Sequence, residues 1–215
     1  MFADRADAGR RLAARLTRYA GRRDAVVLGI PRGGVAVAAV VARELGLPLD
    51  VVLTKKIGHP HQPEFAIGVV DLEGEVLNRD LLERERIRPE YVRAEIEKIR
   101  ALLRRREALY REGRPPLEVG GKTVLLVDDG IATGNTVLAA ARLLRRRAAA
   151  RVVVAAPVAP TEALERLRSE ADEVVCVLEP PDFFAIGEFY EDFAQVSDER
   201  AIALLRPEPS SRRTP

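Results

Sequence analysis

The stretch from Lys122 to Thr136 constrains this chain more than any other. Lys122–Val127 reads as a buried strand, it ends in Asp128-Asp129, and a Gly/Thr/Asn turn then opens a helix over 135–147. A short strand that is apolar on both faces and runs directly into a helix belongs to a βαβ unit, because only a parallel sheet covered on both sides buries such a strand. The alternation recurs. Ala25–Ile30 reads as a strand, Pro31-Arg32-Gly33-Gly34 as a turn, and Val35–Glu44 as a small-residue helix stopped at Gly46-Leu47-Pro48. Asp50–Thr54 and Arg151–Ala156 are further strands. Thr161–Glu170 is a helix with Thr161 as N-cap, and Glu173–Leu178 is the last apolar strand. Ahead of them Ala8, Leu12, Leu16 and Tyr19 share one face of a helix over 4–20. The fold class is therefore α/β, a doubly wound and mostly parallel sheet joined by right-handed crossovers.

Two segments interrupt the alternation. Ala66–Asp71 and Glu75–Leu77, joined through Glu73-Gly74, read as an inserted hairpin, and 79–112 as a charged helical segment with Pro89 at a helix start. One domain is expected over 1–205, with its core at about 20–180, a lid or insertion at about 57–116, a hood at about 179–196 and a disordered Pro/Ser/Arg-rich tail at 206–215. Residues 57–78, with Gly58, Pro60, Pro63 and Gly74, are expected to form a mobile loop.

The 215 residues carry 35 basic and 33 acidic side chains, a net charge of +2, which argues against a grip on bulk DNA. The single cysteine, Cys176, cannot form an internal disulfide, so the expected compartment is the cytoplasm. No apolar run approaches the ~20 residues of a membrane span.

In doubly wound sheets ligands bind beyond the carboxyl ends of the strands. After Val127, the helix N-terminus following Gly130, Ile131, Ala132, Thr133, Gly134, Asn135 and Thr136 offers backbone N–H groups to an anion, with the Thr133 and Thr136 hydroxyls as added donors. Asp128 and Asp129 would repel that anion unless they had another partner, such as ribose hydroxyls or a metal. A phosphorylated sugar satisfies both halves. After Ile30, the glycines of Pro31-Arg32-Gly33-Gly34 allow close backbone approach, and Arg32 supplies a forked donor. Gly120-Gly121-Lys122-Thr123 is not a phosphate loop: Pro116 stands where that motif needs its first glycine, and the Lys-Thr leads into a strand. His59 and His61 lack a third ligand nearby and read as part of the lid.

The pattern of four apolar residues, Asp128-Asp129, three residues and Thr133-Gly134-Asn135-Thr136 resembles the ribose-phosphate loop of type I phosphoribosyltransferases. The resemblance implies that Asp128 and Asp129 face the ribose hydroxyls of 5-phosphoribosyl-1-pyrophosphate (PRPP), with residues 130–136 around its 5′-phosphate. Leu28 to Val35 resembles the family's pyrophosphate loop, and Lys55-Lys56 falls beside its mobile catalytic loop, where Arg32 and Lys55 would stabilise the departing pyrophosphate. Mg²⁺ accompanies PRPP in this family, and its members are commonly homodimers. Pro181-Asp182-Phe183-Phe184 with Gly187 resembles the hood of hypoxanthine-guanine enzymes. That likeness places Phe184 against the acceptor ring and Glu191 where a metal-contacting acid lies. Ala132 occupies the position of those enzymes' acid/base aspartate, so a 6-oxopurine acceptor does not follow. The implied activity is phosphoribosyl transfer from PRPP to a small-molecule acceptor, with a non-catalytic PRPP-sensing protein as the alternative.

Overall fold

The computed structural model describes residues 1–63 and 65–206, so the tail beyond Arg206 lies outside the described residues. Its elements are α1 (Arg5–Arg15), β1 (Ala25–Gly29), α2 (Gly33–Leu45), β2 (Leu49–Val51), β3 (Lys55–Gly58), β4 (Ala66–Val70), β5 (Glu75–Leu77), α3 (Arg79–Arg84), α4 (Pro89–Arg111), β6 (Thr123–Val127), α5 (Asn135–Arg146), β7 (Arg151–Val158), α6 (Thr161–Arg168), β8 (Glu173–Leu178) and α7 (Asp198–Leu205).

Five strands form a sheet in the order β2-β1-β6-β7-β8, every pair parallel. Successive side chains alternate between two cores. Val26, Leu28, Val124, Leu126, Val152 and Val154 meet Val137, Ala140 and Leu144 of α5 and Leu164 and Leu167 of α6. Val27, Leu125, Val127, Val153 and Ala155 meet Leu12 of α1 and Val37 and Val41 of α2. The chain leaves β1 toward β2 on one side and returns to β6 on the other. The switch point, and with it the expected ligand crevice, therefore lies between the carboxyl ends of β1 and β6.

Two expectations need correction. Asp50–Thr54 is not one strand: β2 stops at Val51, and the last bond to β1 runs from the Val52 N–H to the Gly29 carbonyl (3.1 Å). Beyond Gly29 the neighbouring strand has ended, so the chain turns away into a separate three-stranded antiparallel sheet, β3-β4-β5. Nor is 57–78 a loop with few core positions. Ile57, Ile67 and Val70 are buried against Val92, Ile96, Ile99 and Leu103 of α4, and α7 joins the same core through Ala201, Ile202 and Leu205. The exposed part is the tip between β3 and β4, where His61 and Phe65 stand in solvent.

The charged segment 79–112 docks through a buried ion pair. Arg111, at the end of α4, sends its Nε to both oxygens of Asp50 (3.2 Å each) and its Nη2 to the Val51 carbonyl (3.1 Å). Asp50 also accepts the N–H groups of Val51 and Leu117 at 2.8 and 2.9 Å. All its lone pairs are thus engaged, which is the condition under which a buried carboxylate is tolerated.

Candidate active site at the carboxyl ends of the sheet

The turns after β1 and β6 meet side by side. The Ile30 N–H donates to the Val127 carbonyl at 2.9 Å, so the backbones part company only after that bond. Arg32 is the N-cap of α2, exposed at the rim, and Gly33 and Gly34 form the first turn of that helix. A Cβ on Gly33 would lie 1.9 Å from Asp129 Oδ2, and one on Gly34 would lie 2.7 Å from Asp128 Oδ1 and 2.8 Å from Asp128 Cα. A side chain at either position would displace its neighbours, because the aspartate pair packs directly against the opening turn of α2. Two loops separated by almost a hundred residues thus build one site.

The carboxylates are not equivalent. Asp128 Oδ1 accepts the Asp129 N–H at 2.9 Å. Some of its surface opens to the cleft, yet protein surrounds it so densely that burial holds its carboxyl well above the usual range. The charge of Asp129 adds to that rise, and Arg5 opposes it. Asp129 is pinned at both ends: Arg5 Nε reaches Oδ2 at 2.7 Å, and the Tyr190 hydroxyl donates to its carbonyl at 2.5 Å. Burial and the negative charge of Asp129 push the Tyr190 phenol far up, so it remains a donor. The two carboxyl groups also interact with each other side chain to side chain, and both lie against the first turn of α2.

Beyond Asp129 the loop divides its work. Ile131, expected among the ligand contacts, has a buried side chain, and its N–H is taken by the Val158 carbonyl at 2.9 Å, which anchors the loop. Gly130 lies under the hood, where a Cβ would meet Ile186 Cγ2 at 2.3 Å. Ala132, Thr133, Asn135 and Thr136 are exposed, and the N–H groups of Ala132, Thr133 and Gly134 are bonded to no other group among the described residues. Gly134 caps α5 with φ at 75°, a left-handed conformation open to glycine. The first-turn N–H groups of α5 carry the positive end of that helix into the crevice. Arg166 of α6 donates to the Thr133 carbonyl (3.1 Å) and Asn135 Oδ1 (2.9 Å), which puts a guanidinium beside the same loop.

The hood splits its aromatic residues. Phe183 stacks on Phe189, and Tyr190 packs against Phe2 and Phe193. Phe184 stands apart, 86% exposed. Glu191 is exposed, and its N–H donates to the Phe2 carbonyl at 2.9 Å, tying the hood to the N-terminus. Lys55 and Lys56, which follow the expected strand Asp50–Thr54, open β3 of the small sheet, exposed and opposite Val70 and Val69. Sequence reasoning missed Arg5 and Arg166, which lie 124 and 33 residues from their partners. No local signal could have revealed either one.

The phosphoribosyl transferase domain family matches residues 2–193. The chain belongs to that family. This phosphoribosyltransferase domain is 43% identical over 206 residues to a provisionally named phosphoribosyl transferase of Mycobacterium tuberculosis. The alignment covers 95% of this chain and 46% of the relative, so the chain spans about half the length of the curated relatives it matches. The crystal structure of TT1426 from Thermus thermophilus is similar at 46% identity and a TM-score of 0.85, covering 95% of this chain and 97% of the other. A hypothetical protein from Neisseria gonorrhoeae, 16% identical with a TM-score of 0.51 over 95% and 94% of the two chains, shares the fold. Among the described residues no helix is long and apolar enough to cross a membrane.

Proposed function

We propose that this phosphoribosyltransferase uses PRPP and transfers its phosphoribosyl group to a nucleobase-like acceptor, releasing diphosphate. The observation that carries the reading is the contact of Gly33 and Gly34 with Asp129 and Asp128. It sets two helix N-termini, each an anion site, around a pair of carboxylates. The α5 N-terminus with Thr133 and Thr136 suits the 5′-phosphate. The carboxylate oxygens suit the vicinal ribose hydroxyls, and the α2 N-terminus with Arg32 suits the diphosphate.

In the transfer the C1′–O bond to diphosphate breaks as the acceptor's nitrogen forms its bond to C1′. The ring passes through a cationic, oxocarbenium-like state, so the protein contributes position and electrostatics. The carboxylates lie on the sugar's side, where negative charge favours that state, and Arg32 lies where charge grows on the leaving group. Among the described residues no three His, Cys, Asp or Glu side chains are grouped to hold a metal ion. Mg²⁺ carried in on the PRPP diphosphate would neutralise charge there, and Glu191 would offer it an oxygen donor from the hood. Lys55 and the tip around His59 would cover the diphosphate from the small sheet, and Phe184 would stack on the acceptor ring.

The test is PRPP-dependent diphosphate release, measured against a panel of purine and pyrimidine bases with Mg²⁺. At least one base is expected to support turnover. The Asp128→Asn, Asp129→Asn double variant is expected to lose ~100-fold or more, because two charge-assisted hydrogen bonds of ~1.5–3 kcal/mol disappear. Tight PRPP binding without turnover on any base would favour PRPP sensing, and failure to bind PRPP would overturn both readings.

A further inference from the structure

Arg5 stands in the N-terminal helix, outside every motif of the sugar-phosphate site, yet it reaches the centre of that site. Its Nε donates to Asp129 Oδ2 at 2.7 Å, its Nη1 donates to the Ala194 carbonyl at 2.7 Å, and its guanidinium lies 3.9 Å from the centre of the Phe193 ring. Both partners of the ion pair are 13% exposed. Phe193 and Ala194 belong to the end of the hood, and the same hood sends the Tyr190 hydroxyl to the Asp129 carbonyl. The N-terminus is stitched to the hood a second time through backbone bonds, Phe2 N–H to the Phe189 carbonyl (2.7 Å) and Glu191 N–H to the Phe2 carbonyl (2.9 Å). One forked, planar side chain therefore joins three parts of the molecule: the N-terminal helix, the hood and the second aspartate.

We propose that Arg5 is a positioning residue of the sugar site, holding the Asp129 carboxylate by Oδ2 so that Oδ1 stays turned to the ligand and making that orientation depend on the seated hood. The inference rests on the PRPP reading above. An unpinned Asp129 could turn away from the ligand, because its carboxylate is the end of a rotatable side chain whose Oδ2 is held by Arg5. A guanidinium on Oδ2 opposes that turn, and only arginine supplies a directed N–H for Asp129, a second for Ala194 and a flat face for Phe193. Arg5 from α1 and Tyr190 from the hood both bond Asp129, and Arg5 is the cation of the two.

The experiment compares wild type, Arg5→Lys and Arg5→Ala for PRPP binding by calorimetry, for steady-state kinetics with the best acceptor base, and for thermal unfolding. In Arg5→Ala the KM for PRPP is expected to rise ~10–100-fold, the loss of one charge-assisted hydrogen bond. Its kcat is expected to stay within a few-fold, because the sugar contact exists in ground and transition states alike. Added methylguanidinium is expected to restore part of the PRPP affinity of Arg5→Ala, a rescue that a merely structural arginine would not give. Arg5→Lys, which keeps the charge but cannot span both partners, is expected to fall between the other two. If Arg5→Ala does not fold, Arg5→Lys decides, and wild-type PRPP affinity in that folded variant overturns the proposal. Equal PRPP affinity in wild type and folded Arg5→Ala overturns the positioning role and leaves the PRPP reading standing. Absence of PRPP binding in wild type overturns the PRPP reading, and the role of Arg5 with it.

Discussion

Gly33→Ala tests the junction of the two loops most sharply. The added methyl would sit 1.9 Å from Asp129 Oδ2, far inside any real contact. The clash can be relieved, since Oδ2 is the end of a rotatable side chain, but rotation tears it from Arg5. The loss is one charge-assisted hydrogen bond, ~1.5–3 kcal/mol. Against it stands the helix preference of alanine over glycine, at most ~0.5–1 kcal/mol and less at a helix start. A net destabilisation of ~1–2 kcal/mol follows, which for a domain of this size lowers Tm by ~2–8 °C. Because Asp129 is displaced from the ligand, PRPP affinity should fall ~10-fold or more, the equivalent of ~1.4 kcal/mol. Gly34→Ala should behave differently. Its methyl would meet Asp128 Cα at 2.8 Å and the Val127 carbonyl at 2.9 Å, both backbone, so no side-chain rotation helps and the stability loss should be the larger. Gly74→Ala is the control, with nothing within 4 Å of the new methyl. Calorimetric PRPP titration and thermal unfolding of the three variants decide the matter. If Gly33→Ala matches wild type in both measurements, the two loops do not meet as described and the site argument fails.

Other consequences are simpler to state. Phe184→Ala should weaken acceptor binding by ~1–3 kcal/mol, read by acceptor KM, and spare PRPP binding, since base–aromatic stacking has that size. Phe193→Ala should instead lower Tm, because that ring packs between Tyr190 and Arg5. Arg111→Ala leaves Asp50 buried without its cation and should cost ~3–5 kcal/mol in urea unfolding. Arg111→Met paired with Asp50→Leu should recover part of that loss, and an equal loss in both variants would contradict the pairing.

The parallel sheet was legible because its strands are short and apolar on both faces, a pattern only a covered sheet accommodates. The Asp128 to Thr136 turn was legible because the chemistry is contiguous in sequence. The end of β2 was not legible, for the converse reason. Where β2 ends is set by the end of its neighbour at Gly29, a tertiary fact that no propensity over Asp50–Thr54 encodes. The insertion looked loose because Gly58, Pro60, Pro63 and Gly74 mark turns. Its buried residues come one or two at a time (Ile57, Ile67, Val70) and find their partners on α4 and α7, 22 to 148 residues away. Arg5 and Arg166 were invisible on the same grounds, as two arginines among many until the fold placed them against Asp129 and Thr133.

The state of Asp128 carries a consequence for stability that separates function from folding. Burial first, and then the charge of Asp129, hold its carboxyl well above the ordinary value. In the unfolded chain the group ionises near ~3.9. The folded protein therefore binds this proton more tightly than the unfolded chain does. Between the two values stability falls as pH rises, and above both the penalty is constant. Asp128→Asn removes the ionisation, while its Oδ1 can still accept the Asp129 N–H. The variant should thus be more stable than wild type at pH 8, and the difference should shrink as pH falls through the window, vanishing toward pH ~4. PRPP affinity should drop in the same variant, because a charged acceptor for a ribose hydroxyl has been replaced by a neutral one. Thermal unfolding of both proteins from pH 4 to pH 8, beside PRPP titrations at pH 8, measures the two effects together. A variant less stable than wild type at pH 8 would mean that the ionised carboxylate is a net stabiliser, and that the cleft keeps it far better solvated than its surroundings imply.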